Sequence, residues 1–242
     1  MRDYKIETEK RVQFISDLLE ESGAAGIVFG NSGGKDSALV GILCKMACEN
    51  TVGVMMPCTS KCNYGDDMTD AMMISKLYRI EKRMTDLTKT SEAIKKALKD
   101  AVDITKTAEA NIAPRLRMTA LYAVAATENR LVAGTGNKSE RYMGYFTKWG
   151  DGAFDFNPIA DLTVTEIYQF LTHFDVPKRI IEKAPSAGLY DGQTDEGEMG
   201  VTYKAIDEYL RSGICAPEDM EIIASYHNIS AHKRNPPSVY GD

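Results

Sequence analysis

The sequence predicts an α/β fold: a parallel, doubly wound sheet with helices on both faces, followed by a helical C-terminal portion. Three observations carry this. Short apolar runs alternate with amphipathic stretches through the first 135 residues, the pattern of successive βαβ units. Glycine-rich segments at 30–37 and 134–140 follow two of the short runs at once. The chain has 242 residues, 43% of them hydrophobic, enough to fill a sizeable core.

Residues 5–21 are expected to be an amphipathic helix, with Ile6, Val12, Ile15, Leu18 and Leu19 near helical spacing and a stop at Ser22-Gly23. Residues 26–30 read as the first strand and Asp36–Glu49 as the helix after it. Val52–Met56 is a second strand, closed by Pro57. A loop at 58–65 leads to a helix at Asp66–Leu77. A third strand falls within Arg79–Leu87, interrupted by the charges of Glu81, Lys82 and Arg83. Thr90–Val102 and Pro114–Asn129 read as helices. Pro114 suits a first turn, where its missing N–H costs nothing. Leu131–Ala133 is a short buried strand, and further helices are expected near 164–174, 177–183, 202–211 and 217–227. Residues 185–200 form a polar loop with four glycines, a length typical of a lid or binding loop. No repeat, low-complexity tract or Pro/Gly-rich linker interrupts the chain, so a single domain spans 1–242.

Composition narrows the function. A net charge of −6 argues against broad nucleic-acid binding. No run approaches the roughly 18 apolar residues of a membrane span, and the first residues have no apolar secretory core. A cytoplasmic protein with no membrane partner is expected. Five cysteines, an odd number, point to reduced thiols. Cys44 and Cys48 fall on a helix and should pack as small hydrophobes, whereas Cys58 and Cys62 share a C-x-x-x-C spacing in a loop. No His-rich segment completes a zinc set. Basic residues cluster at Arg115, Arg117, Lys138, Arg141, Lys148 and His232-Lys233-Arg234.

The stretch Ile27-Val28-Phe29-Gly30-Asn31-Ser32-Gly33-Gly34-Lys35-Asp36-Ser37 carries the most chemistry. Its glycines let the backbone approach a ligand. The helix that follows offers free N–H groups and a positive dipole end to phosphate. Asp36 would repel bare phosphate, which calls for a metal ion between them. A Walker A loop is excluded at two places: Phe29 stands where its first glycine belongs, and Asp36 follows Lys35 where Ser or Thr is required. The segment Gly134-Thr135-Gly136-Asn137-Lys138-Ser139-Glu140 is a second ligand loop. Thr135 can bond a base or sugar, and Glu140 supplies a second hard carboxylate. Two carboxylates plus phosphate oxygens is a usual Mg²⁺ environment. The plain alternative is a strand-to-helix turn capped by Ser139.

The pattern Ser32-Gly33-Gly34-Lys35-Asp36-Ser37 resembles the pyrophosphate loop of the ATP pyrophosphatase superfamily. Together with Arg115-Leu116-Arg117-Met118, 134–140, 144–152, Asn157-Pro158-Ile159, 185–189 and 192–196, all in order, the chain resembles ammonia-dependent NAD synthetase from about residue 10 to Arg234. The resemblance implies an adenine nucleotide alpha-hydrolase-like fold and a two-step reaction. ATP adenylates the carboxylate of nicotinic acid adenine dinucleotide (deamido-NAD), releasing pyrophosphate; ammonia then displaces AMP to give NAD. It places ATP on Gly30, Asn31, Ser32, Gly33, Gly34, Lys35, Asp36, Ser37, Thr135 and Ser186, and Mg²⁺ on Asp36 and Glu140. It places the dinucleotide on Arg115, Lys148, Asp155, His232 and Lys233. It also implies a homodimer with the dinucleotide site at the interface, partly built by the helix starting near Pro114. Asp151 is the candidate for taking a proton from ammonium. No segment resembles a glutaminase, so ammonia is expected from solution or a separate protein.

Two positions depart from the family pattern. Lys35 stands where an apolar residue or Gln is usual, and Val164 stands where the family usually has a Lys contacting ATP. Lys35 is expected to supply some of the missing charge. Two other readings stay open: a tRNA thiolase using Cys58 and Cys62, and a non-catalytic nucleotide sensor.

Overall fold

The computed structural model describes residues 2–58, 65–183 and 194–240. Its centre is β1 (Gly26–Gly30), flanked by β2 (Thr51–Met55) and β4 (Arg130–Ala133), with β3 (Glu81–Met84) outside β2. All pairings are parallel, in the order β3-β2-β1-β4. Residues Val28, Val52 and Val132 stand in register across β1, β2 and β4.

Side chains alternate across a strand, and β1 uses both faces. Ile27 and Phe29 enter one core with Leu39, Leu43, Ile159 and Phe170, whereas Val28 enters a second with Val54, Leu87 and Ala125. The first core is covered by α1 (Tyr4–Ser22), α2 (Lys35–Ala47) and α8 (Val164–His173). The second is covered by α6 (Ile112–Glu128), after α3 (Asp66–Leu77), α4 (Thr88–Leu98) and α5 (Lys106–Ala110). A third cluster, around Met143, Val164, Tyr203, Ile206 and Ile223, joins α7 (Lys138–Met143) and α8 to the C-terminal helices. Those in the cluster are α10 (Asp195–Met199), α11 (Tyr203–Ser212) and α12 (Pro217–Ile229); α9 (Lys178–Ile181) packs into the first core through Ile180, and α13 (Ala231–Arg234) follows α12. The doubly wound sheet and the helical C-terminal portion are therefore as the sequence predicts. Among the described residues no helix is long and apolar enough to cross a membrane.

The differences have physical causes. The third strand is short because it is an exposed edge, and Glu81, Lys82 and Arg83 protect it from further pairing. Helices α5, α7, α10 and α13 have four to six residues each, too few for a visible period. Helix α10 sits inside the predicted loop at 185–200, and residues 184–193 lie outside those described. The cap of α7 is Asn137, not Ser139: the Asn137 side chain accepts the Glu140 N–H at 2.9 Å, and Glu140 reaches back to the Asn137 N–H at 3.0 Å. Ser139 is buried and donates instead to Asp207 at 2.5 Å.

Strands β2 and β3 lie to one side of β1, and β4 lies to the other. The order in which strands are added thus reverses between β1 and β4, while the strands stay parallel. In open α/β sheets a crevice opens at such a switch point, beyond the carboxyl ends of the strands. Phe29 pairs with Ala133 there, so the two glycine-rich loops leave the sheet side by side.

Candidate active site

Both loops face one cavity of about 1530 Å³. Gly30, Asn31, Ser32, Gly34, Lys35, Asp36 and Ser37 line it from the first loop, and Thr135 and Glu140 line it from the second. Gly33 does not. It has φ +78°, and a Cβ there would lie 2.1 Å from the Asp67 carbonyl oxygen, so it fixes the loop against α3. Asn31 also braces the loop: its amide donates to the Ala71 carbonyl and to Ser75, and its Oδ1 accepts the Gly33 N–H. Ser32 accepts the Gly34 N–H and lies 3.1 Å from the Ser37 hydroxyl. The loop is thus organised internally, with α2 starting at Lys35.

The two predicted metal carboxylates meet through Asn137. Its side-chain amide donates to Asp36 Oδ1 at 3.1 Å, and its backbone N–H donates to Glu140 Oε2 at 3.0 Å. Burial first, and then the Asp36 charge, push the Glu140 carboxyl well above its ordinary range. Two crowded acids in one wall are a state that a divalent cation relieves. Among the described residues no group of three or more His, Cys, Asp or Glu side chains forms a metal cage. The pair still suits Mg²⁺, which takes one or two carboxylates and completes its shell with phosphate oxygens and water.

Lys35 is buried and its ammonium lies 2.7 Å from Asp36 Oδ2. Burial alone would favour the neutral amine, but Asp36 and Glu140 outweigh it and hold the charge. The rings of Tyr203 and Tyr168 lie 5.7 and 6.0 Å from the ammonium. Val164, one turn before Tyr168 on α8, is a core residue packed with Met143 and Tyr203.

At the other end of the cavity, burial pushes the Asp151 carboxyl up, against the pull of the Thr147 N–H that it accepts at 2.9 Å. Lys233 lines the same region and donates to the Gly144 and Phe146 carbonyls. His232 lines it too. Its carbonyl accepts the Lys148 ammonium at 2.7 Å, and the Lys148 carbonyl accepts the Arg115 guanidinium. Arg115, Lys148 and His232 are therefore linked in series, but only His232 and Lys233 of these four line the cavity, and Arg115 and Lys148 do not. Asp155 stands apart: its carboxylate accepts the Val132 N–H at 2.7 Å and the Tyr122 hydroxyl at 3.1 Å, and it does not line the cavity. Ser186 and Cys62 lie outside the described residues. Cys58 is wholly buried, which leaves its thiol no access to a large substrate.

Two contributors carry no role in the sequence reading. Asn137 joins the carboxylates, and the signal was present in the capping spacing Asn137-x-x-Glu140. Lys183 lines the cavity and donates to Asp67 at 2.6 Å and Asp70 at 2.9 Å, a long-range pairing that no local pattern encodes.

Known proteins give the same picture. The sequence pattern of the NAD synthase family matches residues 7–237. The NH(3)-dependent NAD(+) synthetase of Carboxydothermus hydrogenoformans is 45% identical over 240 residues, 98% of each chain. An NMN synthetase structure from Francisella tularensis superposes with a TM-score of 0.94 at 38% identity, covering 100% of both chains. An NH3-dependent NAD synthetase structure from Campylobacter jejuni gives 0.80 at 31% identity, covering 99% of each. With a pyrophosphate-loop crevice, paired carboxylates and full-length relatives in agreement, this chain belongs to the NAD synthase family.

Proposed function

We propose that this enzyme is a ligase that amidates deamido-NAD with ammonia, forming a C–N bond and consuming ATP to AMP and pyrophosphate. The observation that carries it is the meeting of Asp36 and Glu140 on Asn137 at the switch point. The tRNA thiolase and sensor readings are not favoured, because curated relatives matching almost the whole chain are NAD synthetases.

The Gly30–Ser37 loop cradles the triphosphate with the N-terminus of α2 beneath it. Thr135 and Ser186 hold the nucleoside side. A carboxylate oxygen of deamido-NAD attacks the α-phosphorus, and the bond to the β-phosphate oxygen breaks with release of pyrophosphate. Mg²⁺ held by Asp36 and Glu140 would spread the charge of that leaving group. Ammonia nitrogen then attacks the acyl carbon, and the C–O bond to AMP breaks. Asp151 takes the proton that ammonium must lose. Arg115, Lys148, Asp155, His232 and Lys233 hold the dinucleotide, largely by positioning.

Asp155 lies outside the cavity of a single chain, which fits a site completed in a homodimer. Helix α6 supports this: of its 17 residues only Ala113, Pro114 and Ala125 are buried. We assign the protein to the cytoplasm, consistent with free thiols at the described positions Cys44, Cys48, Cys58 and Cys215. No role for nucleic acid or membrane is assigned.

The test mixes purified protein with ATP, Mg²⁺, ammonium and deamido-NAD. Equimolar NAD, AMP and pyrophosphate are expected, and ADP with orthophosphate would overturn the mechanism. A second reading is amidation of the mononucleotide, favoured by the end-to-end superposition on the Francisella NMN synthetase. Running nicotinic acid mononucleotide in parallel compares the two substrates by kcat/KM.

A further inference from the structure

We propose that the Lys35 ammonium is a resident counter-ion for the Asp36–Glu140 pair, and that it keeps divalent cations out until nucleotide brings them in. This deepens the proposed function, since it rests on those two carboxylates being the cation's ligands.

Lys35 and Asn137 already engage both oxygens of Asp36. Lys35 Nζ is 2.7 Å from Asp36 Oδ2, while Asp36 Oδ1 is taken by the Asn137 amide at 3.1 Å. Glu140 is tied to the same asparagine. Tyr168 and Tyr203 bring their rings to within 6.0 and 5.7 Å of the ammonium. The Tyr203 hydroxyl donates to Asp195, a further buried carboxylate at 3.0 Å. Two acids therefore act on one ammonium, Asp36 in direct contact and Glu140 through its charge.

Carboxylates crowded together in a half-buried wall are stabilised by a cation, and removing it leaves them uncompensated. Lys35 meets that need in the free protein. A Mg²⁺ ion demands close, near-octahedral oxygens and gives up water reluctantly. To use Asp36 Oδ2 it must displace the ammonium, which then needs an anion elsewhere. Nucleotide phosphates arriving on the neighbouring loop supply that anion. The divalent ion therefore loads together with nucleotide and not ahead of it.

Mn²⁺, whose free-ion paramagnetic signal disappears on binding, is the probe. Wild-type protein is expected to bind Mn²⁺ at least about tenfold more tightly with a non-hydrolysable ATP analogue than without, after correction for Mn²⁺ held by the analogue itself. Lys35→Met without nucleotide should bind Mn²⁺ at least about tenfold more tightly than wild type without nucleotide. Its melting temperature should rise with Mn²⁺, and Asp36→Asn in the same background should abolish the gain. If Lys35→Met fails to fold, Lys35→Gln carries the comparison. Wild-type protein that binds Mn²⁺ equally with and without the analogue overturns the proposal whatever the variants do. So does a Lys35 variant with wild-type Mn²⁺ affinity. Failure to form NAD in the turnover assay would sink the proposed function and leave this comparison standing. Equal Mn²⁺ binding would do the reverse.

Discussion

At the scale of single residues, the site depends on side chains that hold others in place. Gly33 is the clearest: a methyl group there meets the Asp67 carbonyl oxygen at 2.1 Å, and φ +78° is unfavourable for any L side chain. Gly33→Ala should cost about 1–3 kcal/mol in urea unfolding and raise the KM for ATP, because loop and α3 must separate. Asn137→Ala should cost about 1 kcal/mol through loss of the α7 cap. It should also lower kcat, because nothing then ties Asp36 to Glu140. Asn137→Asp keeps the cap oxygen but sets a buried carboxylate against Asp36 Oδ1, so neither stability nor turnover should recover. Asp151→Asn can still accept the Thr147 N–H, so the fold should persist. Its turnover with ammonium should fall by about 10²-fold or more if proton removal is its role. A fall confined to the KM for deamido-NAD would refute that role.

Among elements, two polar clamps set the angles between helices. Arg11 on α1 reaches the Pro158 carbonyl at 2.5 Å and the Asp161 carboxylate at 2.7 and 3.0 Å, while Arg2 reaches Asp161 and Glu166. Burial would raise the Asp161 carboxyl, but the hydrogen bond and charge of Arg11, with Arg2 behind it, bring it below its ordinary value. A depressed carboxyl lends stability above its unfolded pKa, and that stability is lost as pH falls through the lower folded value. Arg11→Met should lower the melting temperature at pH 7, by about 2 kcal/mol in unfolding free energy. The gap from wild type should narrow as the solution is acidified into that window. The second clamp is Asp207 on α11. It accepts the Ser139 hydroxyl at 2.5 Å and the Thr165 N–H at 2.7 Å, joining α7, α8 and α11. Asp207→Ala strands both donors and should cost about 2–3 kcal/mol in urea unfolding.

Over the whole molecule, eleven of the 17 residues of α6 are apolar yet only Ala113, Pro114 and Ala125 of the helix are buried, and its exposed stripe includes Thr119, Ala123, Ala126 and Thr127. If the proposed homodimer forms through α6, Ala123→Arg should shift its sedimentation to that of a monomer and reduce turnover; an unchanged oligomeric state would remove α6 from the interface. The sequence by itself determined the sheet, because alternating apolar runs and amphipathic helices are local patterns that only a parallel core can bury. It also located both glycine-rich loops that line the cavity, since Ser32 to Ser37 and Gly134 to Glu140 are contiguous. The tertiary structure alone decided which residues meet. Asn137 reaches Asp36 across 101 positions, and Lys183 reaches Asp67 across 116. Asp155, a substrate residue in the sequence, bonds the Val132 N–H of β4 and the Tyr122 hydroxyl, partners 23 and 33 positions away. Lys35 was visible as an unusual residue, but its burial against Asp36 was not. Such pairings depend on which loops the strand order brings to one rim, and strand order is set by packing across the sheet, not by neighbours in the chain.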